Sequence, residues 1–338
     1  MPLIPFLHQV AERRDLASAD AQAAMEIILS GQSSPAQIAA FLVALRMKGE
    51  SVSELVGFAR AMRQAAKLAP VEGPGPLIDT CGTGGDGGAT FNISTVAAFV
   101  IAGAGVRVAK HGNRSISSRC GSADLMESLG VKISLDPAEM ARAIREVGIG
   151  FLFAPAIHTA MKHAQPVRVE LKMRTAFNLL GPLTNPAGAT AQLVGAPSET
   201  AAELMAGALA ELGLERGFVV HGSDGLDEIT TTGATLAFEV KAGRVERRNF
   251  QPEMFGVLPA KPEDLRGGDV TTNRDIALRI LAGEKGAHRD IVLVNASAAL
   301  VAAGKVEDFL EGMELAAASI DTGAARAKLD HLARFTTG

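Results

Sequence analysis

The chain has 338 residues, 47% of them apolar and only 4% aromatic, with no Trp and no Tyr. That length allows a large core and two domains, and an interior built from Ala, Val, Leu and Gly suits helices packed around a buried parallel sheet. A formal net charge of -4 argues against a general nucleic-acid binder, and Cys81 and Cys120 form neither a disulfide framework nor a CxxC pair, so a reducing cytoplasm is expected.

The opening stretch MPLIPFLHQVAERRD has charges too early and an apolar run too short for a signal peptide. The longest apolar run, Val96 to Val106, is about half what a membrane span requires, and a soluble protein is expected. The chain then reads as helix after helix. Ser34, Pro35 and Gln37 supply an N-cap, a first-turn proline and a capping-box partner for IAAFLVALRMKG, which stops at Gly49. Ser51 and Glu54 open SVSELVGFARAMRQAAK in the same way. No strand-like alternation precedes GPGP at 73–76, so residues 1–73 are expected to form a small all-helical domain.

From Leu77 the texture changes. LIDT reads as a strand, followed by a glycine loop and a helix from about Ser94 to Gly103. VRVAK is the next strand, its loop HGNRSISSRCG leads into the helix SADLMESLG, and Asp136, Pro137 and Glu139 cap a helix ending near Gly148 before the strand GFLFA. This alternation is the mark of an α/β sheet with parallel strands. RVELKMRTAFNLLGPLTNPAG breaks it as a helix closed by Gly181 and Pro182, a discontinuous return to the helical domain over 168–186. AQLVGAP, an Ala-rich helix and RGFVVHG resume the alternation. ATLAFEVKAGRVERRNF reads as a hairpin turning at Ala242–Gly243, and IVLVNASAALVAAG as a further strand and helix. Residues 74–167 and 187–338 are thus expected to make a large α/β domain with a mostly parallel central sheet.

Four stretches carry chemistry. DTCGTGGDGGATFNIST spells GxGxxG from Gly82 to Gly87, yet no Asp or Glu occurs between Gly87 and Ala123 to hold a dinucleotide ribose, and no Lys-Ser or Lys-Thr completes a Walker loop. A strand, successive backbone N–H groups and a helix start still make an anion cradle, with Thr90, Asn92, Ser94 and Thr95 adding donors. A bare glycine run is as often a turn before a capped helix. Here the acid-free span also carries Arg107, Lys110, His111, Arg114 and Arg119, a segment kept clear for an anion.

KHGNRSISS, Lys110 to Ser118, follows a strand, where loops at carboxyl ends build ligand sites; its bland reading is a solvated polar loop. GSDGLDEIT sets Asp227 beside Glu228 on a loop, where both can face one divalent cation; with few protein ligands and a phosphate-rich partner, Mg2+ fits better than a transition metal. Taken alone it is more often a solvent-facing acidic turn. HTAMKHAQPVR places His158, His163 and Arg168 together near the break to the second helical segment. Arg168 there suits either a ligand carboxylate or an interdomain salt bridge.

Taken in order, SPAQIAAFLVALRMKGE, DTCGTGGDG with FNIST, KHGNRSISSRCGSADLMESLGV, PVRVELKMRTAFNLLGPLTNPA and DGLDEIT resemble the anthranilate phosphoribosyltransferase family over nearly the whole chain. The resemblance implies the nucleoside phosphorylase-like phosphoribosyltransferase fold, a homodimer joined through the helical domains, Mg2+ as cofactor, and anthranilate and phosphoribosyl pyrophosphate as substrates in tryptophan biosynthesis. It implies that Gly82, Gly85, Asp86, Thr90, Asn92, Ile93, Ser94 and Thr95 hold the pyrophosphate. Lys110, His111, Gly112, Asn113, Arg114, Ser117, Ser118 and Ser122 would line phosphoribosyl pyrophosphate, while Gly82, Asn113 and Arg168 would contact anthranilate. Ser94, Asp227 and Glu228 would hold metal, Lys110 would give electrostatic help, and His111 or the substrate's own carboxylate would take the proton. Arg119 stands where Lys is commoner and Thr159 where Pro is usual after His158. Two other readings remain: a pyrimidine nucleoside phosphorylase of the same fold, and a non-catalytic nucleic-acid-binding homologue.

Overall fold

The computed structural model describes residues 2–67, 71–84, 90–115 and 119–338. Four helices come first: α1 (Ile4–Ala11), α2 (Ser18–Leu29), α3 (Pro35–Lys48) and α4 (Val52–Ala65). Both capping boxes form, Ser34 with Gln37 and Ser51 with Glu54. Glu54 also does tertiary work. Fully buried, it accepts the Leu16 N–H at 3.1 Å and pairs with Lys48 at 2.9 Å, fixing the start of α4 against the turn before α2.

A seven-stranded sheet follows: β1 (Leu77–Gly82), β2 (Arg107–Gly112), β3 (Ile149–Phe153), β4 (Ala191–Gly195), β5 (Arg216–Gly222), β6 (Thr235–Lys241) and β7 (Arg244–Phe250). Its order is β3-β2-β1-β4-β5-β6-β7, parallel from β3 to β5 and antiparallel at the last two pairings. The helix α5 (Ile93–Gly103) connects β1 to β2. The chain builds to one side as far as β3, then returns to lay β4 on the opposite flank of β1. That reversal opens a crevice at the carboxyl ends of β1 and β4, where open α/β sheets bind ligands.

Side-chain alternation gives each face of the sheet its own core. Leu193, Phe218 and Ala237 pack with α5 and the helix Ala287–Ala302. Their neighbours Val194, Val219 and Phe238 join a second core, shared with α2, α3, α4 and the helices Phe177–Leu183 and Glu199–Glu211. The helical layer is thus seated on one face of the sheet.

Two expectations fail locally. IVLVNASAALVAAG contains no strand: all but its last two residues lie in the single helix Ala287–Ala302. Every residue from Ile291 to Ala302 is buried, so the apolar run reflects surroundings on all sides and carries no period to distinguish helix from strand. RVELKMRTAFNLLGPLTNPAG is two short helices, Gln165–Leu171 and Phe177–Leu183, and Gly181 and Pro182 lie inside the second. The break comes at Lys172, whose φ of 48° turns the chain left-handed. The hairpin at Ala242–Gly243 forms, with φ of 49° and 76° at the two turn residues.

Candidate active site

The site lies at the carboxyl ends of β1, β2 and β5. After β5 the chain delivers Asp227, buried, and Glu228, partly buried, back to β1 and α5. Oδ2 of Asp227 accepts the Gly84 N–H at 2.8 Å, and Oε1 of Glu228 accepts the Ser94 N–H at 3.1 Å. The approach dictates glycine on both sides. A Cβ on Gly82 would fall 2.5 Å from Asp227 Oδ2, and one on Gly195 would strike the Asp227 carbonyl oxygen. The Ser94 N–H belongs to the first turn of α5, one of the donors a helix start leaves unpaired, so here the helix N-terminus is met by a carboxylate.

Two adjacent acids in one low-dielectric place repel. Glu228 is pushed up to about 8, by burial first and by the Asp227 charge next, with Lys110 and the Ser94 bonds opposing. Such a pair is short of positive charge, and the residues fit Mg2+. Among the described residues no three His, Cys, Asp or Glu side chains gather as a metal site. The protein therefore offers the two carboxylates and the Ser94 hydroxyl, leaving other positions to phosphate oxygens and water, the ligand set Mg2+ prefers.

Lys110 is buried at the end of β2. Its Nζ donates to the Thr80 carbonyl and, at 3.5 Å, faces the Ser94 hydroxyl. Burial lowers its pKa and the nearby Asp79 charge resists. Asp79 is fully buried, and its oxygens accept the His111 N–H at 3.0 Å and the Asn185 amide at 2.7 Å; burial raises its pKa, opposed first by Lys110. Asp79 and Asn185 thus hold the strand end that presents Lys110 and His111. Sequence reading passed over both, although an acid inside the apolar strand LIDT and the polar Asn of LTNP are the signals that mark them.

His111 faces the helix Phe177–Leu183. Its Nδ1 lies 3.1 Å from the Gly181 carbonyl, its ring is 5.1 Å from the ring of His158, and Nε2 of each is buried without a partner among the described residues. Since a carbonyl only accepts, Nδ1 carries the proton and Nε2 presents a lone pair. Burial lowers His111 to about 3, helped by His158, and burial lowers His158 to about 4.

The loop after β2 is closed on itself. The Ser122 hydroxyl bonds both the Asn113 N–H and the Asn113 carbonyl at 3.2 Å, and a Cβ on Gly112 would strike Ser122 and Phe151. Arg114 turns to Asp124 and Glu127, both at 2.7 Å. Asn92 binds the Cys120 carbonyl at 3.0 Å and the Asn273 amide at 3.2 Å, Thr90 bridges to Arg266, and Ile93 and Thr95 are buried in the first turn of α5. Arg168 lies over the Phe177 ring at 5.2 Å, bonded to Gln165 at 3.3 Å, with no acidic partner among the described residues. The structure therefore gathers Gly82, Ser94, Lys110, Asp227 and Glu228 at one point, His111 beside them, and Asn113, Arg114 and Ser122 in a separate ring. Gly85, Asp86, Ser117 and Ser118 lie outside the described residues.

A mostly parallel α/β sheet seated on a helical layer, with Asp227 and Glu228 brought to the start of α5, is the architecture in which the family comparison places a glycosyl transferase. Residues 4–66 match the family described as glycosyl transferase family, helical bundle domain, and residues 74–326 match its a/b domain. The anthranilate phosphoribosyltransferase of Solibacter usitatus is 69% identical over 99% of both chains, and that of Symbiobacterium thermophilum 53% identical over 98% of this chain and 97% of its own. The solved anthranilate phosphoribosyltransferase of Thermus thermophilus superposes with a TM-score of 0.94 at 43% identity over all of both chains. That of Saccharomyces cerevisiae, in complex with PRPP and Mg, gives 0.91 at 27% over 99% and 98%. The chain belongs to the anthranilate phosphoribosyltransferase family. No helix among the described residues is long and apolar enough to cross a membrane.

Proposed function

We propose that the chain transfers the phosphoribosyl group of 5-phosphoribosyl 1-pyrophosphate to the amino group of anthranilate, releasing pyrophosphate, as a step of tryptophan biosynthesis in the cytoplasm. One observation carries this reading beyond family membership: Asp227 and Glu228 converge on Gly84 and Ser94, at the start of α5 and beside Lys110. That convergence supports a place for a metal ion and a diphosphate. Full-length relatives at 69% and 53% identity carry the same activity in their names, which favours it over a nucleoside phosphorylase or a nucleic-acid binder.

In the reaction the anthranilate nitrogen forms a bond to the ribose C1 as the bond from C1 to the pyrophosphate oxygen breaks. Negative charge grows on the leaving group, and preorganised donors there lower the barrier. Lys110, buried beside Ser94, supplies a fixed donor there. When bound, Mg2+ supplies further neutralisation of the leaving diphosphate, held by Asp227, Glu228 and Ser94. An aromatic amine needs no strong base to attack. A His111 lowered to about 3 takes a proton poorly, so the ortho carboxylate of anthranilate is the better acceptor and His111 serves as a neutral wall. Arg168 grips that carboxylate, and Asn113 and Ser122 shape the phosphoribosyl side.

The same reading divides the chain into residues 1–73 with 168–186 as the helical domain and the remainder as the catalytic domain, and pairs two copies through the helical domains. Met47, 71% exposed on α3, and Val169, 60% exposed on the helix Gln165–Leu171 that packs against α3, support that face. A monomer in light scattering at micromolar concentration would remove the pairing. The activity itself is tested by anthranilate fluorescence, whose loss should require both phosphoribosyl pyrophosphate and Mg2+. Folded protein that leaves the signal unchanged overturns the reading.

A further inference from the structure

The turn between the helices Gln165–Leu171 and Phe177–Leu183 carries an arginine that sequence reading did not single out. Lys172 is left-handed there, and the chain beyond it brings Arg174 to the glycine loop. Nη1 of Arg174 donates to the Gly84 carbonyl at 3.1 Å, while its Nη2 is buried and has no hydrogen-bond partner among the described residues. The N–H of the same glycine donates to Asp227 Oδ2 at 2.8 Å. One residue, at a φ of 70° that suits glycine, is therefore held at both ends. One hold is a cation on the segment joining two helices outside the sheet; the other is an acid after β5 that belongs to the metal pair.

A buried guanidinium N–H without an acceptor is costly and persists where an acceptor arrives with a ligand. An anionic acceptor that sits beside Gly84 would satisfy it and match the guanidinium charge. Resting on the function proposed above, the donor's diphosphate meets both conditions.

We propose that Arg174 is a positioning residue for the phosphoribosyl donor: through Gly84 it latches the glycine loop to Asp227, and its spare Nη2 gains an acceptor when the diphosphate binds. It links the helical segment to the metal acids without being placed at the reacting atoms. Lys in its place reaches the Gly84 carbonyl with one ammonium but lacks the second arm of the planar fork.

Hydrogen exchange of the Gly84 amide and calorimetric binding of inorganic pyrophosphate with Mg2+ test this, using the full chain. In Arg174→Ala the Gly84 amide should exchange at least tenfold faster. Pyrophosphate should bind roughly tenfold or more weakly, as loss of a charge-assisted bond implies, and the anthranilate KM should stay within about twofold. Arg174→Lys should restore the slow exchange yet bind pyrophosphate more weakly than wild type. Unchanged exchange and unchanged pyrophosphate affinity in Arg174→Ala would overturn the latch, as would an equal rise of both KM values with Lys failing to rescue either. Exchange is read without substrates, so it decides the latch even if the wild-type chain transfers nothing to anthranilate, a result that would sink the functional reading alone.

Discussion

Oε1 of Glu228 accepts the backbone N–H of Ser94 at 3.1 Å, so an acid from the far side of β4 closes the first turn of the helix that follows the glycine loop. The contact ties the two sides of the crevice together through one of the two acids proposed to hold Mg2+. Glu228→Gln keeps an oxygen for the Ser94 N–H, and Asp227→Asn keeps one for Gly84, while both remove charge. The double variant should lose Mg2+-dependent turnover by about 100-fold or more, consistent with losing the charges that hold the metal. Its thermal midpoint should be unchanged or higher, because the burial and, next, the Asp227 charge that push Glu228 up to about 8 do not penalise a neutral amide. Kinetics across a Mg2+ titration, with a melting curve beside them, check this; near-normal turnover removes the metal assignment.

Acid should destabilise the fold through His111 and His158. Both stay neutral when folded, lowered to about 3 and about 4, whereas an unfolded histidine takes a proton near 6.5. Between those values the unfolded chain binds more protons, so stability is full above about pH 6.5 and is lost as pH falls toward 4, by up to about 1.4 kcal/mol per pH unit for each group. Urea unfolding at a series of pH values should show that slope, and His158→Phe should lower it by one group. A slope unchanged by that variant would mean His158 titrates normally.

Arg168 stacks on Phe177 with no acidic partner among the described residues, which leaves its charge for a ligand carboxylate. Arg168→Ala should raise the anthranilate KM by about tenfold, the scale of one charge-assisted bond, with a smaller effect on the phosphoribosyl pyrophosphate KM. The opposite ratio would exchange the two subsites.

Local rules made much of this molecule readable. Ser34 with Gln37, Ser51 with Glu54, and Ala242–Gly243 act within a few residues, and each forms as its pattern implies. The Asp227–Glu228 pair, an ordinary acidic turn when taken alone, drew notice only in company with the other stretches, because what brings it to Gly84 and Ser94 is the return of the chain after β5. Ile291 to Val294 misled for the opposite reason: burial on every side removes the period that separates helix from strand. Arg174 was invisible because its meaning lies in Gly84, 90 positions away along the chain. Asp79 escaped notice likewise, since its role depends on Asn185, 106 positions distant.

Gly195 tests whether backbone proximity alone sets the metal pair. It ends β4, and a Cβ there would strike the Asp227 carbonyl and lie 3.0 Å from the Asp227 Cβ. Backbone cannot yield as a flexible side chain would, so Gly195→Ala must push the 227–228 turn away from β1. The Gly84 N–H and the Ser94 N–H then lose their acceptors together, although neither residue has been altered. We expect a fall in thermal stability of about 1–3 kcal/mol, the usual cost of overpacking, and a Mg2+ requirement raised by about tenfold or more in the protein that remains folded. Reduced stability with an unchanged Mg2+ dependence would show that the acids reach the metal without the close approach of β4. An unchanged melting curve would mean that the strand end relaxes freely, and that glycine at this position is not required by the carbonyl above it.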